Sequence, residues 1–309
     1  MRADNSATVP EPITVGAPTP RRATPLGGTV LAATGVLTFS LTFPGTAWAL
    51  EGFGPWSTVT LRLVLASVVA GGALLALRVP LPRRADLPGL AVVALGVVIG
   101  FPLLTTLALR TSSTSHAAVV TGLLPLTTAA LAAALHRGAR PPRTFWPAAV
   151  AGAAVVGAFT VSQSGGAPDT ADLYLLGALL ACAAGYTEGG RLARTMPGWQ
   201  VIAWALVACL PLSLPGALIA LGAEPARPTA HSVAGLLWIA LASQFAGLFV
   251  WYRGMAAIGV ARASQLQLAQ PLLTLVWSVS LLGEHLAPAA LPTAVAVLVC
   301  IAVTQRAAR

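Results

Sequence analysis

Continuous apolar runs separated by short polar gaps organise this chain. They begin near Gly28, Trp56, Leu87, Ser115, Phe145, Leu173, Trp199, Ser232, Val260 and Leu286. Each is roughly 20 residues long, and at about 1.5 Å of rise per residue a helix of that length matches the hydrocarbon core of a bilayer. Barrel strands would alternate in shorter segments, so the runs predict helices. The expected fold is an all-α polytopic membrane protein of ten transmembrane helices. Residues 1–26, rich in Pro, Thr and Ala with mixed charges, predict a disordered cytoplasmic tail. Arg21-Arg22 before a run that ends in Ala47-Trp48-Ala49 imitate a cleavable signal peptide. The run is long enough to span, and its loss would leave an odd number of helices and break the repeat described next. It is therefore read as the first span.

That repeat is visible in the residues. Segment 117–126 reads AAVVTGLLPL and segment 263–272 reads ASQLQLAQPL, which aligns Ala117 with Ala263, Pro125 with Pro271 and Leu126 with Leu272. The same offset lays the first apolar run on the sixth. The halves, residues 27–163 and 172–306, hold five runs each. With an odd number, the second half enters the membrane from the opposite side, which gives two inverted five-helix repeats, an architecture of transporters.

Composition supports the bilayer. The chain is 56% hydrophobic and only 9% charged, with mean hydropathy +0.81, whereas soluble proteins carry about 25% charged residues. The net charge is +9, lysine is absent, and all 18 basic residues are arginines. With the N-terminus in the cytoplasm, the inner gaps hold Arg78, Arg83, Arg84, Arg137, Arg140, Arg143, Arg191, Arg194, Arg253 and Arg262. The outer gaps hold only Arg110 and Arg227, beside Glu51, Asp169, Asp172, Glu224 and Glu284. This positive-inside bias predicts a multi-pass protein of the inner (plasma) membrane with both termini cytoplasmic. It also explains the basic balance without nucleic acid. Cys182, Cys209 and Cys300 lie singly within apolar runs, so neither a metal nor a cofactor is expected.

The chain resembles the ten-helix EamA branch of the drug/metabolite transporter superfamily. The resemblance rests on Leu61-Arg62-Leu63, on Leu123-Leu124-Pro125-Leu126, and on the stretch from Phe249 to Glu284. That stretch holds Trp251-Tyr252-Arg253-Gly254, Ala263-Ser264-Gln265-Leu266-Gln267, Gln270-Pro271 and Leu282-Gly283-Glu284. It implies transport of small organic molecules, commonly amino acids or other metabolites and often outward, through a central cavity. One departure is visible. The family often carries an acidic residue after the fourth helix of each half, but here Glu284 has His136-Arg137-Gly138 as its counterpart. Glu284 is therefore read as a helix-end cap at the outer surface.

Polar groups inside a bilayer are costly and usually face the bundle interior, so they mark candidate sites. Gln267 and Gln270 share a helix face near Ser264, and Pro271 frees a backbone carbonyl beside them. Pro125 and Thr121 stand at the matching points of the fourth helix. Paired helix breaks in an inverted repeat point to a binding site, with interhelical glue as the alternative. Gln244, Tyr186 and Arg62 complete the candidate substrate-binding set. Arg62 can clasp a substrate carboxylate, snorkel outward or bond a helix C-terminus. Glu188 is the candidate for proton coupling, against a structural ion pair with Arg191. Gly185, Gly189 and Gly190 beside it permit close approach of a neighbouring helix or flexing of their own. Tyr252 reads as an interfacial anchor and His116 as an interface residue, while Trp204 and Trp238 are open between cavity wall and packing.

A secondary transporter working by alternating access follows as the expected function. The expected partners are a small-molecule substrate and the lipid bilayer, the chain being a monomer or homodimer. An ATP-driven pump is disfavoured because no P-loop occurs, and an enzyme because no catalytic constellation recurs within the spans. A cationic drug efflux carrier, which would need an essential embedded carboxylate, and a non-transporting membrane subunit are the rivals.

Overall fold

The computed structural model describes residues 25–135, 145–163, 169–258 and 266–307. The N-terminal tail, the His136-Arg137-Gly138 segment, Arg262 and Ser264 lie outside the described residues. All regular elements among the described residues are helices. Eight are long and apolar enough to cross a bilayer: α1 Leu26–Leu50, α2 Pro55–Ala76, α3 Arg84–Ala108, α4 Thr114–Leu135, α5 Phe145–Ser162, α6 Thr170–Leu192, α7 Gly198–Ala223 and α8 Ala230–Met255. Two shorter apolar helices follow, α9 Ala269–Leu282 and α10 Ala290–Ala307. The chain is a ten-helix polytopic membrane protein. Large apolar side chains cover its outside, with Leu75 81% and Ile219 72% exposed, a surface suited to lipid rather than water.

Local chemistry sets the helix ends. Pro55 opens α2 at a position where its missing N–H costs nothing. Ser113 caps α4 by accepting from the His116 N–H. Reciprocal capping boxes, Asp169 with Asp172 and Thr229 with Ser232, start α6 and α8. Gly283 ends α9 in the left-handed region, at φ +65°, which only glycine enters without a Cβ penalty. The last helix begins at Ala290 rather than near Leu286 because Pro288 interrupts the apolar run just before it.

Departures from regular helix repeat between the halves. α4 is interrupted at Gly122-Leu123, and a turn at Leu268 separates the short helical piece at 266–267 from α9, each break just ahead of its matched proline, Pro125 or Pro271. α3 widens into a π-helical stretch over Ala94–Gly100, and its counterpart α8 does so over Trp238–Gly247. Packing obeys the same exchange. α2 lies against its counterpart α7 and α5 against α10, while α1 on α8 mirrors α6 on α3. The halves therefore interleave rather than stand side by side. Gly185 of α6 faces Gly96 and Val97 of α3 at a distance that leaves no room for a Cβ. Of the two readings open for the α6 glycines, Gly185 serves close approach.

Candidate functional site

A cavity of about 690 Å³ opens between the halves, within the range of small-molecule sites. It gathers Arg62 of α2, Thr121 and Pro125 of α4, Tyr186 of α6 and Gln244 of α8. Gln267, just ahead of α9, and Gln270 and Pro271 within it complete the set. Glu188 does not line it; its carboxylate accepts from Arg191 Nε at 2.7 Å and lies 2.6 Å from a second guanidinium nitrogen.

Backbone irregularity shapes the walls. Pro125 has no N–H for the Thr121 carbonyl four residues before it, and Pro271 has none for that of Gln267. Both altered turns border the cavity at matched positions. The π-helical stretches contribute Val97 from α3 and Ser243 and Gln244 from α8. Such bulges frequently mark functional sites. α1 supplies a third break, which the sequence reading missed. Pro44 leaves the Ser40 carbonyl without its helical partner, and Thr274 Oγ1 of α9 donates to that carbonyl at 2.9 Å. The chain turns at Leu41 between two helical pieces and presents Phe39, Thr42 and Phe43 to the cavity. A proline four residues beyond a polar residue inside a span was the available signal.

Arg62 is the charged member of the wall among the described residues. It is 5% exposed and neither snorkels nor bonds a helix end. One terminal nitrogen donates to Gln244 Oε1 at 2.5 Å, and its Nε has no hydrogen-bond partner. Thr121 donates back to the Ala117 carbonyl at 2.7 Å. Tyr252 lines the cavity, with Gly198 of α7 against its ring, instead of anchoring the interface. Trp204 and Trp238 pack into hydrophobic clusters outside the wall. The cavity tryptophan is Trp251.

Among the described residues, the cavity lining runs to one end of the bundle. Ala193, just past the end of α6, and Met255, at the end of α8, belong to its rim, at the arginine-rich end. The opposite end is shut by polar contacts between helix termini. Glu284, just past α9, accepts from the Thr114 and Ser115 backbone N–H groups at the start of α4, at 2.8 and 3.0 Å. Glu224, just past α7, accepts from those of Trp56 and Ser57 in α2, at 3.1 and 2.7 Å. Each carboxylate thus caps the repeat counterpart of its own helix, where unpaired N–H groups and the helix dipole favour an anion. Glu284 is a cap, but of α4 rather than of its own helix. His116, in the first turn of α4, lies buried against Asp172 in the first turn of α6 at 2.7 Å and stacks on Phe159, so it faces other helices rather than lipid. At the arginine-rich end, α2 ends and α7 begins, and the two helices pack along each other. Among the described residues no carboxylate is seen to cap the start of α7.

A membrane-spanning bundle of two interleaved halves, with a cavity at their interface whose described lining runs to one face, is the build of a solute carrier. The chain belongs to the EamA-like transporter family of the drug/metabolite transporter superfamily, which matches it twice, over residues 26–163 and 169–305. A Bacillus subtilis (strain 168) protein named "Uncharacterized transporter YdeK" is 42% identical over 278 residues, covering 89% of this chain and 96% of that protein. A solved crystal structure superposes with TM-score 0.62 over 89% of this chain and 95% of its own, at 20% identity. That likeness concerns the fold alone.

Proposed function

We propose that this transporter is a secondary carrier that exports small organic metabolites, such as amino acids or related compounds, by alternating access through the central cavity. It would sit in the plasma membrane with both termini cytoplasmic, so that the arginine-rich end and the cavity mouth face the cytoplasm. The observation that carries this reading is the meeting of both halves' broken helices, at Pro125 and Pro271, on one cavity that is open at one end and sealed at the other. Alternating access then requires the Glu224 and Glu284 caps to release while the arginine-rich ends close. Proton coupling through Glu188 would further require its pair with Arg191 to open during the cycle.

A solute panel in proteoliposomes, with and without an imposed proton gradient, tests the reading. Flux of at least one amino acid or related metabolite is expected, and the Gln267→Ala/Gln270→Ala double variant is expected to lose it about tenfold or more, in line with the loss of amide contacts worth about 1.4 kcal/mol together. Unchanged affinity and flux in a folded double variant would put the site elsewhere. A folded protein that moves no solute on the panel would favour the non-transporting subunit. Glu188→Gln with gradient-driven flux intact would remove Glu188 from coupling.

A further inference from the structure

Arg62 carries its charge into the membrane interior with no counter-charge among the described residues. Every acidic side chain among the described residues is committed elsewhere. Glu51 meets His231, Glu188 meets Arg191, Glu224 and Glu284 cap α2 and α4, Asp169 caps α6, Asp172 meets His116, and Asp86 lies toward Arg191. None lines the cavity among the described residues. Arg62 has instead the neutral oxygen of Gln244 on one terminal nitrogen, and its Nε is orphaned. Burying a charge is tolerated when it is paired, and removing one partner of a buried pair is costly. A buried guanidinium on a cavity wall, with its fork incompletely used, is a site waiting for an anion. Its planar donors match a carboxylate.

The rest of the wall says what the anion is attached to. Phe39, Phe43, Phe101, Tyr186 and Trp251 line the same cavity, and they offer apolar and aromatic surface for an organic body. They could also hold a cation over their faces, but the nearby guanidinium repels a cation and nothing acidic on the described wall offsets it.

We propose that Arg62 is the specificity-determining residue of this carrier, and that it selects solutes bearing one carboxylate on an apolar body, with net charge −1. This rests on the transport reading above. The carboxylate would take the terminal N–H donors of Arg62 that Gln244 leaves free, while Gln244 holds the guanidinium in place; the orphaned Nε itself is sealed from the cavity. Zwitterions would bind more weakly, since no carboxylate among the described residues meets their ammonium group, and cations would be refused.

The test uses three forms of one body: N-acetylphenylalanine (an anion), phenylalanine (a zwitterion) and phenylalaninamide (a cation). Binding is measured to the purified full chain in detergent, in chloride-free buffer. For the native protein the expected order of affinity is anion, zwitterion, cation, with at least tenfold between the extremes. Arg62→Gln is expected to abolish that order. A second variant covers the case in which Arg62→Gln fails to fold. Gln244→Glu keeps Arg62 and gives it an internal counter-charge, so it is expected to keep or raise thermal stability while cutting N-acetylphenylalanine affinity at least tenfold. A purely structural Arg62 would change stability in these variants and leave the affinity ratio alone.

The proposal is overturned by equal binding of anion and cation to the native protein, by an unchanged ratio in both variants, or by no binding of any of the three. Stabilisation by chloride with none by N-acetylphenylalanine also overturns it. All of these results leave the transport reading intact, because that reading falls only if the folded protein moves no solute on the wider panel.

Discussion

At the residue scale, the interior of this protein depends on a few atoms that tolerate no addition. Gly185 and Gly96 let α6 and α3 approach so closely that a methyl group on either would overlap the opposing helix. Overpacking of this kind costs about 1–3 kcal/mol. Gly185→Ala is therefore expected to lower the thermal midpoint in detergent by several degrees, whereas Gly72→Ala and Gly157→Ala, whose added Cβ meets nothing within 4 Å, are expected to leave it unchanged or raise it slightly, alanine being the better helix former. Equal melting of all three variants would mean that the α3–α6 approach is not tight. The glycines were legible in the sequence as candidates for close approach or flexing. The opposing partner was not, because α3 and α6 are distant in the chain and meet only in the fold.

At the scale of helices, the repeat is kept in kind where the cavity forms and unequal where it closes. Both halves place a proline after a break in the fourth helix and a π-helical stretch in the third. The closing carboxylates Glu224 and Glu284 have no described equal at the arginine-rich end. Replacing Glu284 with Gln keeps the shape of the cap and removes its charge. Charged hydrogen bonds exceed neutral ones by roughly 1 kcal/mol or more each, so the closed-to-open ratio is expected to fall about tenfold. Ser278, fully buried beside Thr114 at that end, reports the change. A cysteine at Ser278 is expected to react about tenfold faster with a water-soluble maleimide in the Glu284→Gln background. An unchanged rate would show that the cap does not hold this end shut. The sequence marked Glu284 as a helix-end cap; which helix it caps follows from α9 packing against α4.

For the whole molecule, charge asymmetry and cavity direction point the same way. With the arginine-rich end inside, Ala226 between α7 and α8 faces the exterior and Arg83 before α3 faces the cytoplasm, both exposed. In a background without Cys182, Cys209 and Cys300, Ala226→Cys is expected to be labelled in intact cells by an impermeant maleimide. Arg83→Cys is expected to be labelled only after permeabilisation. The reverse pattern would invert both the orientation and the side from which solute enters the cavity.

Much of this protein is decided by the sequence alone, because a bilayer makes hydropathy a local property. Run length sets the spans, the arginines predict a direction, and the matched prolines Pro125 and Pro271 mark where helices break, since a missing N–H acts on its own turn whatever surrounds it. Only the tertiary structure decided which groups meet. Arg62 and Gln244 are far apart in sequence, and so are Glu224 and Ser57. Nothing local to any of them reveals the partner. The unbalanced charge of Arg62 is the clearest case. Its presence within a span was plain from the residues, but the lack of a described carboxylate beside it is a property of the packed helices, because a counter-charge can come from any helix that the fold brings near.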